Sequence, residues 1–492
     1  MTTSPTVVAR ETYHAVIGME VHAQLQTVSK MFCSCSADYW EAAPNSHVCP
    51  VCLAMPGVLP VINEAAVEQT VRTGLALNCQ IAPFSVFARK NYSYPDLPKG
   101  YQISQYELPL CHDGWLMIDG DDNQPRRIGI RRAHLEEDTG KTIHMDGVSL
   151  VDLNRAGVPL LEIVTESDLR SADEAYRYLV KLRTILRYLG VNSGDMEKGA
   201  MRCEVNLSLR TAEQATRGEY GVKVEVKNLN SFKAVRDSIA YEVARQTVVL
   251  DSGGSVQQVT MGWDEDRRRT VLQRSKESSE DYRYFPEPDL PPLELSSEWI
   301  EAVRTTLPEL PDARIARFTG NYGISRQDAE VLTAERGIAE WFEEAVRAYE
   351  GSPREVANWV TGELFALLNT QEGDITALDL SPDDLAALLA LVDAGVINRN
   401  TGKRVLAEMV STGQPPQAII DAQGLAQVSD EAGLAAVVDA VLTANPDAVA
   451  KYRDGKTSLL GWFMGQVMKE TRGKANPDVV RGLLAKRLNT QE

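Results

Sequence analysis

Tyr13-His14-Ala15-Val16-Ile17-Gly18-Met19-Glu20-Val21-His22-Ala23-Gln24-Leu25 reads as a strand with two unlike faces. On a two-residue period, Ile17, Met19, Val21 and Leu25 share one side, and Glu20, His22 and Gln24 share the other. The apolar side asks for a core. The polar side asks for water or a ligand. A carboxylate and an imidazole two residues apart on one face reach a single divalent cation. The stretch predicts the floor of a site built on a sheet.

Strands of the same kind recur. Along 202–210 the polar residues Arg202, Glu204, Asn206, Ser208 and Arg210 alternate with an apolar set, and 222–227 alternates likewise. Amphipathic helices are expected at 172–189 and 232–250. The fold class is therefore α+β, with a one-sided antiparallel sheet and not repeated βαβ units. At 492 residues the chain exceeds a single core. Pro286, Pro288, Pro291 and Pro292 close a first domain, 1–294. Residues 295–412 read as a helical domain, with helical periodicity over 328–349 and 353–368. The break at Thr412-Gly413-Gln414-Pro415-Pro416 opens a small all-helical tail, 413–492.

The net charge of −18 speaks against a general nucleic-acid coating protein. The charge is segregated, however. Residues 323–395 carry four Lys or Arg against fifteen Asp or Glu, and residues 451–492 carry nine against four. The tail is where a polyanion would dock. No apolar run is long enough to span a bilayer, and residues 1–11 lack a basic-then-apolar signal pattern, so a cytoplasmic chain with no membrane partner is expected.

Four of the seven cysteines cluster as Cys33-x-Cys35 and Cys49-x-x-Cys52. In a cytosolic chain this spacing points to a structural zinc knuckle, with His47 as a possible substitute ligand. Four protein ligands leave no open position for catalysis. Cys203 alternates with Met201, Val205 and Leu207 and is expected in the core.

The loop from Lys90 to Gln105 holds Lys90, Tyr92, Tyr94 and Lys99 between prolines. Aromatics between lysines suit stacking on a base or sugar while an ammonium reaches phosphate. Two further phrases carry acids. His134-Leu135-Glu136-Glu137-Asp138 ends a strand, and Glu162 sits inside the apolar Val158–Val164 stretch, where a lone carboxylate is costly unless paired or bound to metal. Together with Glu20, His22 and Glu204 these acids suit Mg²⁺, which normally bridges substrate phosphates. The chain has neither a G-x-x-x-x-G-K-[ST] loop nor a G-x-G-x-x-G turn after a strand. If ATP binds, it binds on a sheet floor, through metal and scattered basic residues such as Lys90 and Arg202. A Gly/Ser-rich tract presenting an amidase-type serine is also missing, so glutamine hydrolysis would come from another chain.

VIGMEVHAQL, KNYSYPDLPKGYQISQ, HLEEDTGK, SLVDLNRAGVPLLEIV, MEKGAMRCEVNLSLR, VKNLNSF, RSKESSEDYRYFPEPDLPP and GWFMGQVMKETRGKANPDVVRGLL follow one another along the chain. In this order they closely resemble the B-subunit family of the tRNA-dependent amidotransferases. The resemblance implies a glutamine-synthetase-like cradle, a helical linker and a tail that grips tRNA. It implies a heterotrimer with an amidase A subunit and a small C subunit. It further implies ATP-dependent phosphorylation of the side-chain carboxylate of Glu-tRNA(Gln) or Asp-tRNA(Asn), then displacement of phosphate by ammonia delivered from the A subunit. Position by position, Glu20, His22, Glu137 and Glu162 match the family's metal ligands, with Glu136 the neighbour that a slip of strand register would exchange for Glu137. Lys90 matches a basic residue of the phosphate region, and Glu204 an acid that is Asp in many relatives. Val259 and Met261 depart from the family's Glu-Thr-Arg pattern. Two other readings compete: a glutamine-synthetase-like ligase acting on a free small carboxylate, which would need no basic tail, and a zinc-bearing RNA adaptor, which would leave Glu20, His22 and Glu162 without purpose.

Overall fold

The alternation at 13–25 becomes the strand Tyr13–Gln24, fifth of nine in one large sheet. In the computed structural model that sheet runs Arg269–Ser275, Val259–Asp264, Val224–Leu229, Met201–Thr211, Tyr13–Gln24, Pro159–Thr165, Pro125–Glu137, Cys111–Asp119 and Gln80–Ile81. Residues 13–275, 282–371, 375, 378–427, 431–471 and 475–489 are described. Three stretches singled out in the sequence lie partly or wholly outside them: residues 1–11, 276–281 of the RSKESSEDYRYFPEPDLPP phrase, and 472–474 of the tail phrase.

The expected sheet is antiparallel; the observed one is mixed. Val224–Leu229 and Val259–Asp264 run parallel. The 20-residue helix Phe232–Asp251 lies between them in sequence and supplies the crossover that parallel neighbours require. Val259 and Met261, where the family pattern carries charge, pack against the apolar core of this unit.

That core gathers the apolar face of the sheet. Ile17, Met19, Val21 and Ala23 are fully buried, together with Leu161, Ile163, Leu135, Ala133, Val205 and Leu207 from adjacent strands. Helices Glu64–Ala76, Ala172–Leu189 and Phe232–Asp251 pack on it. Ala172–Leu189 shows why: Ala175, Tyr178, Leu179, Leu182, Ile185, Leu186 and Leu189 recur at helical spacing and are all buried. Ser171 caps the first turn by accepting from Glu174 N, and Gly190 ends the helix in the left-handed region at φ 67°.

The chain divides into two compact units, Met1–Pro311 and Asp312–Glu492. The first unit runs past the proline cluster because Trp299, Ile300 and Val303 of the helix Ser297–Thr305, and then Leu307 and Leu310, pack on its core. The second unit is helical and holds two apolar clusters, one from Phe318 to Ile420 and one from Leu434 to Leu488. The helix Pro416–Gln423 belongs to the former, through Ile419 and Ile420, so the last cluster begins beyond the break at 413. The helix expected over 328–349 is two helices, Arg326–Leu332 and Arg336–Ala348. The Thr333 hydroxyl turns back to the Ala329 carbonyl where the first of them ends. Residues 353–368 run through a wider π-helical turn at Trp359–Leu364.

Leu182 is fully enclosed between helix and sheet. Leu182→Ala is expected to destabilise the first unit by about 2–5 kcal/mol, read as a lowered urea midpoint in the sheet-unit transition.

Candidate functional site

The polar face of the sheet is built by pairing distant strands in register. His22 stands opposite Glu162 on one side and Arg202 on the other, and Glu162 stands opposite His134. Glu20 is opposite Glu204. Residues opposite each other share a face, so this register lines up Arg202, His22, Glu162 and His134 across four strands.

Their side chains converge. His22 Nε2 lies 3.4 Å from Glu162 Oε2, 3.7 Å from Glu136 Oε1 and 3.7 Å from Glu20 Oε1. His134 Nε2 lies 3.6 Å from Glu162 and 4.0 Å from Glu136. Arg132 reaches the other Glu162 oxygen at 3.8 Å, and Ser104 Oγ donates to Glu136 at 3.1 Å. His134, Glu136 and Glu162 are buried; Glu20 and His22 are half-buried.

Crowded acids in a dry place oppose their own ionisation. Burial, reinforced by the charge on Glu162, pushes Glu20 up to about 6 and Glu136 up to about 7. Glu162 goes the other way. Burial opposes its charge, but His134 and the hydrogen bond and charge of His22 hold it well below the usual carboxylate range. Burial also works against a charged His22, yet its bond to Glu162 and the charges of Glu162, Glu136 and Glu20 lift it to about 9. Burial drives His134 down to about 4, with Arg132 and Lys90 adding to it against the pull of Glu162. Lys90, despite its burial, is kept above its ordinary value chiefly by Glu136, Tyr284 and Glu162.

This donor set fits a divalent cation. One ligand atom each from Glu20, His22 and Glu162 lies within 4.8 Å of the others, and the same holds for His134, Glu136 and Glu162. The two groups share Glu162.

The structure brings some expected residues here and sends others elsewhere. Glu136, not Glu137, faces His22. Glu137 follows Leu135 in the alternation and turns to the other side, where it pairs with Lys99 and accepts from Ile103 N at 2.9 Å. Lys90 lies 5.2 Å from the Tyr282 ring, which Tyr92 meets edge-on at 6.0 Å. Tyr94 is exposed. Arg202 is engaged by Asp138 at 2.9 Å, and Asp138 also accepts from Gln24 at 2.7 Å. Glu204 is held by Lys227 at 2.7 Å. Sequence reasoning missed His134, Arg132 and Ser104. For the first two a signal was present: Arg132, His134 and Glu136 alternate with the buried Ala133 and Leu135, and that period selects Glu136 over Glu137 as well.

The four cysteines form a second donor set beside the sheet. Their sulfurs all lie within 4.8 Å of one another, and Cys49 Sγ and Cys52 Sγ are 3.9 Å apart. A tetrahedron with metal–sulfur bonds of about 2.3 Å has edges of about 3.8 Å, so the set fits zinc. Cys52 is pushed down to about 4, first by a hydrogen bond from Cys33, then by the Cys49 N–H and the Lys30 charge, while burial opposes. His47 stays outside the sulfur group. Cys203 is buried in the core.

With this geometry in view, comparison with known proteins is decisive. A family model described as the GatB/GatE catalytic domain matches residues 15–301, and one described as the GatB domain matches 340–488. The chain belongs to the B-subunit family of the tRNA-dependent amidotransferases. The B subunit of the aspartyl/glutamyl-tRNA(Asn/Gln) amidotransferase of Thermodesulfovibrio yellowstonii is 53% identical over 477 residues, covering 96% of this chain and 99% of the relative. The protein of the same name from Thermomicrobium roseum is 53% identical over 482 residues, covering 97% and 99%. Family membership makes the chain a component of a ligase. Both matched regions fall on what the fold separates: the sheet unit with its acid cluster, and the helical unit.

Among the described residues no single helix is long and apolar enough to cross a membrane.

Substitution separates the two neighbouring acids. Glu136→Gln is expected to weaken Mn²⁺ binding by at least the roughly 10- to 100-fold seen for changes beside a metal site. Glu137→Gln is expected to leave it within about two-fold by the same measure. Paramagnetic resonance of free Mn²⁺ reads both.

Proposed function

We propose that the polar face of the sheet activates the side-chain carboxylate of a glutamyl or aspartyl residue esterified to tRNA, using ATP, and amidates it. The convergence of the Glu20, His22, His134, Glu136 and Glu162 side chains on the polar face of the sheet carries this reading. A carboxylate has no good leaving group at neutral pH. Transfer of the γ-phosphoryl group to its oxygen gives an acyl phosphate and ADP. Ammonia then forms the C–N bond, and phosphate departs.

Glu20, His22, Glu136 and Glu162 would hold Mg²⁺, with Glu136 taking the position that the family pattern assigns to Glu137. When bound, the ion draws charge from the transferring phosphoryl group. Lys90, drawn toward Glu136 and Glu162, adds positive charge on the same side. The acids fix Lys90 and each other, so little reorganisation is needed as charge develops. Tyr92 at the rim, and Tyr94 exposed beyond it, offer ring faces to a base or sugar. Lys99 and Arg202 are occupied by Glu137 and Asp138 and serve to shape the walls. Glu204, held by Lys227, flanks the hollow on the far side of Glu20.

This reading makes the sheet unit a glutamine-synthetase-like cradle and the chain one part of a cytoplasmic heterotrimer. An amidase A subunit would supply ammonia, and a small C subunit would complete the assembly. The name of the relatives, with its tRNA(Asn/Gln), supports the substrate class. The cysteine set would hold a structural Zn²⁺. The Leu434–Leu488 helices, in the basic stretch of the chain, would dock tRNA.

In the assembled complex, Glu20→Ala and Glu136→Gln are expected to lower ATP-dependent amidation of misacylated tRNA by about 10³-fold or more while glutamine hydrolysis persists. Equal loss of both activities in an intact complex would refute the site. Truncation after Gln427 is expected to weaken tRNA binding and flatten its salt dependence, measured by filter binding across a salt series. Unchanged binding at every salt concentration would remove the tail from the reading.

A further inference from the structure

Lys30 has no role in the chemistry above, yet among the described residues it is the most deeply buried lysine of the sheet unit, with 1% of its surface exposed. Its three ammonium protons have three acceptors. Lys30 Nζ lies 2.8 Å from the His47 carbonyl, 3.4 Å from the Leu153 carbonyl and 3.7 Å from Cys52 Sγ. Two of these are neutral. Among the described residues no carboxylate lies within ion-pair distance of it. A buried ammonium without a counter-charge is strongly destabilising. The sole partner able to carry negative charge is the sulfur.

The cysteine set has the complementary problem. Four thiolates around one Zn²⁺ leave a net charge of −2 in a site whose Cys52 is buried. Backbone N–H groups relieve part of it: the Cys49 N–H points at Cys52 Sγ at 3.1 Å. Only a full positive charge cancels one whole unit.

We propose that Lys30 is the charge-compensating cation of a tetrathiolate zinc centre, a positioning residue that keeps the metal in place and ties the knuckle to the sheet. This rests on the zinc reading above. The tie is visible in the backbone. Lys30 N donates to Cys35 O at 2.9 Å inside the knuckle, and Met31 N donates to Gly157 O at 2.7 Å just before the strand that carries Glu162. The Lys30 carbonyl accepts from Asn63, the N-cap of Glu64–Ala76. The side chain crosses between these segments, reaching His47 and Cys52 on one side and Leu153 on the other. Gly157, beside the Lys30 stem, holds a left-handed backbone at φ 85°, which glycine adopts without strain. The cysteine set, the lysine and the approach to the Glu162 strand form one unit.

The test uses the full-length chain with Lys30→Met, Lys30→Gln and Lys30→Arg. Zinc per chain is measured by mass spectrometry, and its transfer to a chromogenic chelator is timed. Wild type is expected to hold one zinc. Lys30→Met and Lys30→Gln are expected to surrender it roughly 10- to 100-fold faster, and Lys30→Arg, which keeps the charge, to stay near wild type. In cobalt-substituted chains, loss of the charge is expected to move the sulfur-to-metal charge-transfer band to longer wavelength, because the thiolate lone pairs rise in energy. A change in packing alone would not shift that band while the arginine variant restored it. Wild type without zinc would overturn the zinc reading itself. Wild type with zinc, but with equal release and an unmoved band in the charge-removing variants, would overturn the role of Lys30 and leave the zinc reading standing. Should neither charge-removing variant fold, Lys30→Arg decides: zinc held as in wild type supports the proposal, and loss of zinc from a folded chain overturns it.

Discussion

Mutual repulsion among Glu20, Glu136 and Glu162 is the constraint around which the first unit is organised. Three carboxylates within reach of one imidazole cannot all carry charge in a dry hollow unless something positive sits among them. The chain supplies His22 and Lys90, and it keeps His134 uncharged beside them. The result is a set of acids with unequal readiness to ionise, poised to accept a cation. A protein without need of such a site would hardly sustain the cost of burying it on its central strands.

The sheet makes that crowding unavoidable. Its apolar face is sealed by three helices, so the register of every strand is fixed by which residues must go inward. Once Ala133 and Leu135 are inside, Arg132, His134 and Glu136 have to face outward. Once Leu161 and Ile163 are inside, Glu162 has to join them. The core thus positions the acid cluster without touching it. The hairpin made by Ala88–Asn91 and Tyr101–Ser104 then closes one edge, bringing Lys90 and Ser104 to the acids.

Much of this was legible in the sequence. The 13–25 alternation identified a strand at the middle of the sheet and put Glu20 and His22 on its polar face. The helices expected at 172–189 and 232–250 announced themselves by their period, and the structure has them at Ala172–Leu189 and Phe232–Asp251. The cysteine spacing foretold four converging sulfurs. The parallel strand pair was hidden, because a strand's direction depends on what its connecting helix packs against, and local pattern is silent on that. Two adjacent glutamates at a strand end made Glu137 the match to the family's motif, whereas the alternation of 131–137 puts Glu136 on the face of His22. Lys30 was invisible for another reason. A lone lysine in a loop reads as surface, and its burial follows from segments that meet only in the folded chain.

The register that assembles the hollow also dictates when it can exist. Gln24 and Asp138 touch across 114 positions of sequence, and the central strand pairs on its other side with Met201–Thr211. During synthesis, therefore, Tyr13–Gln24 waits unpartnered until Pro159–Thr165 has been made, and gains its second neighbour only with Met201–Thr211. High contact order of this kind slows folding and leaves apolar strand edges open to unwanted association. The knuckle at 33–52 is different: its ligands are close in sequence and can close early.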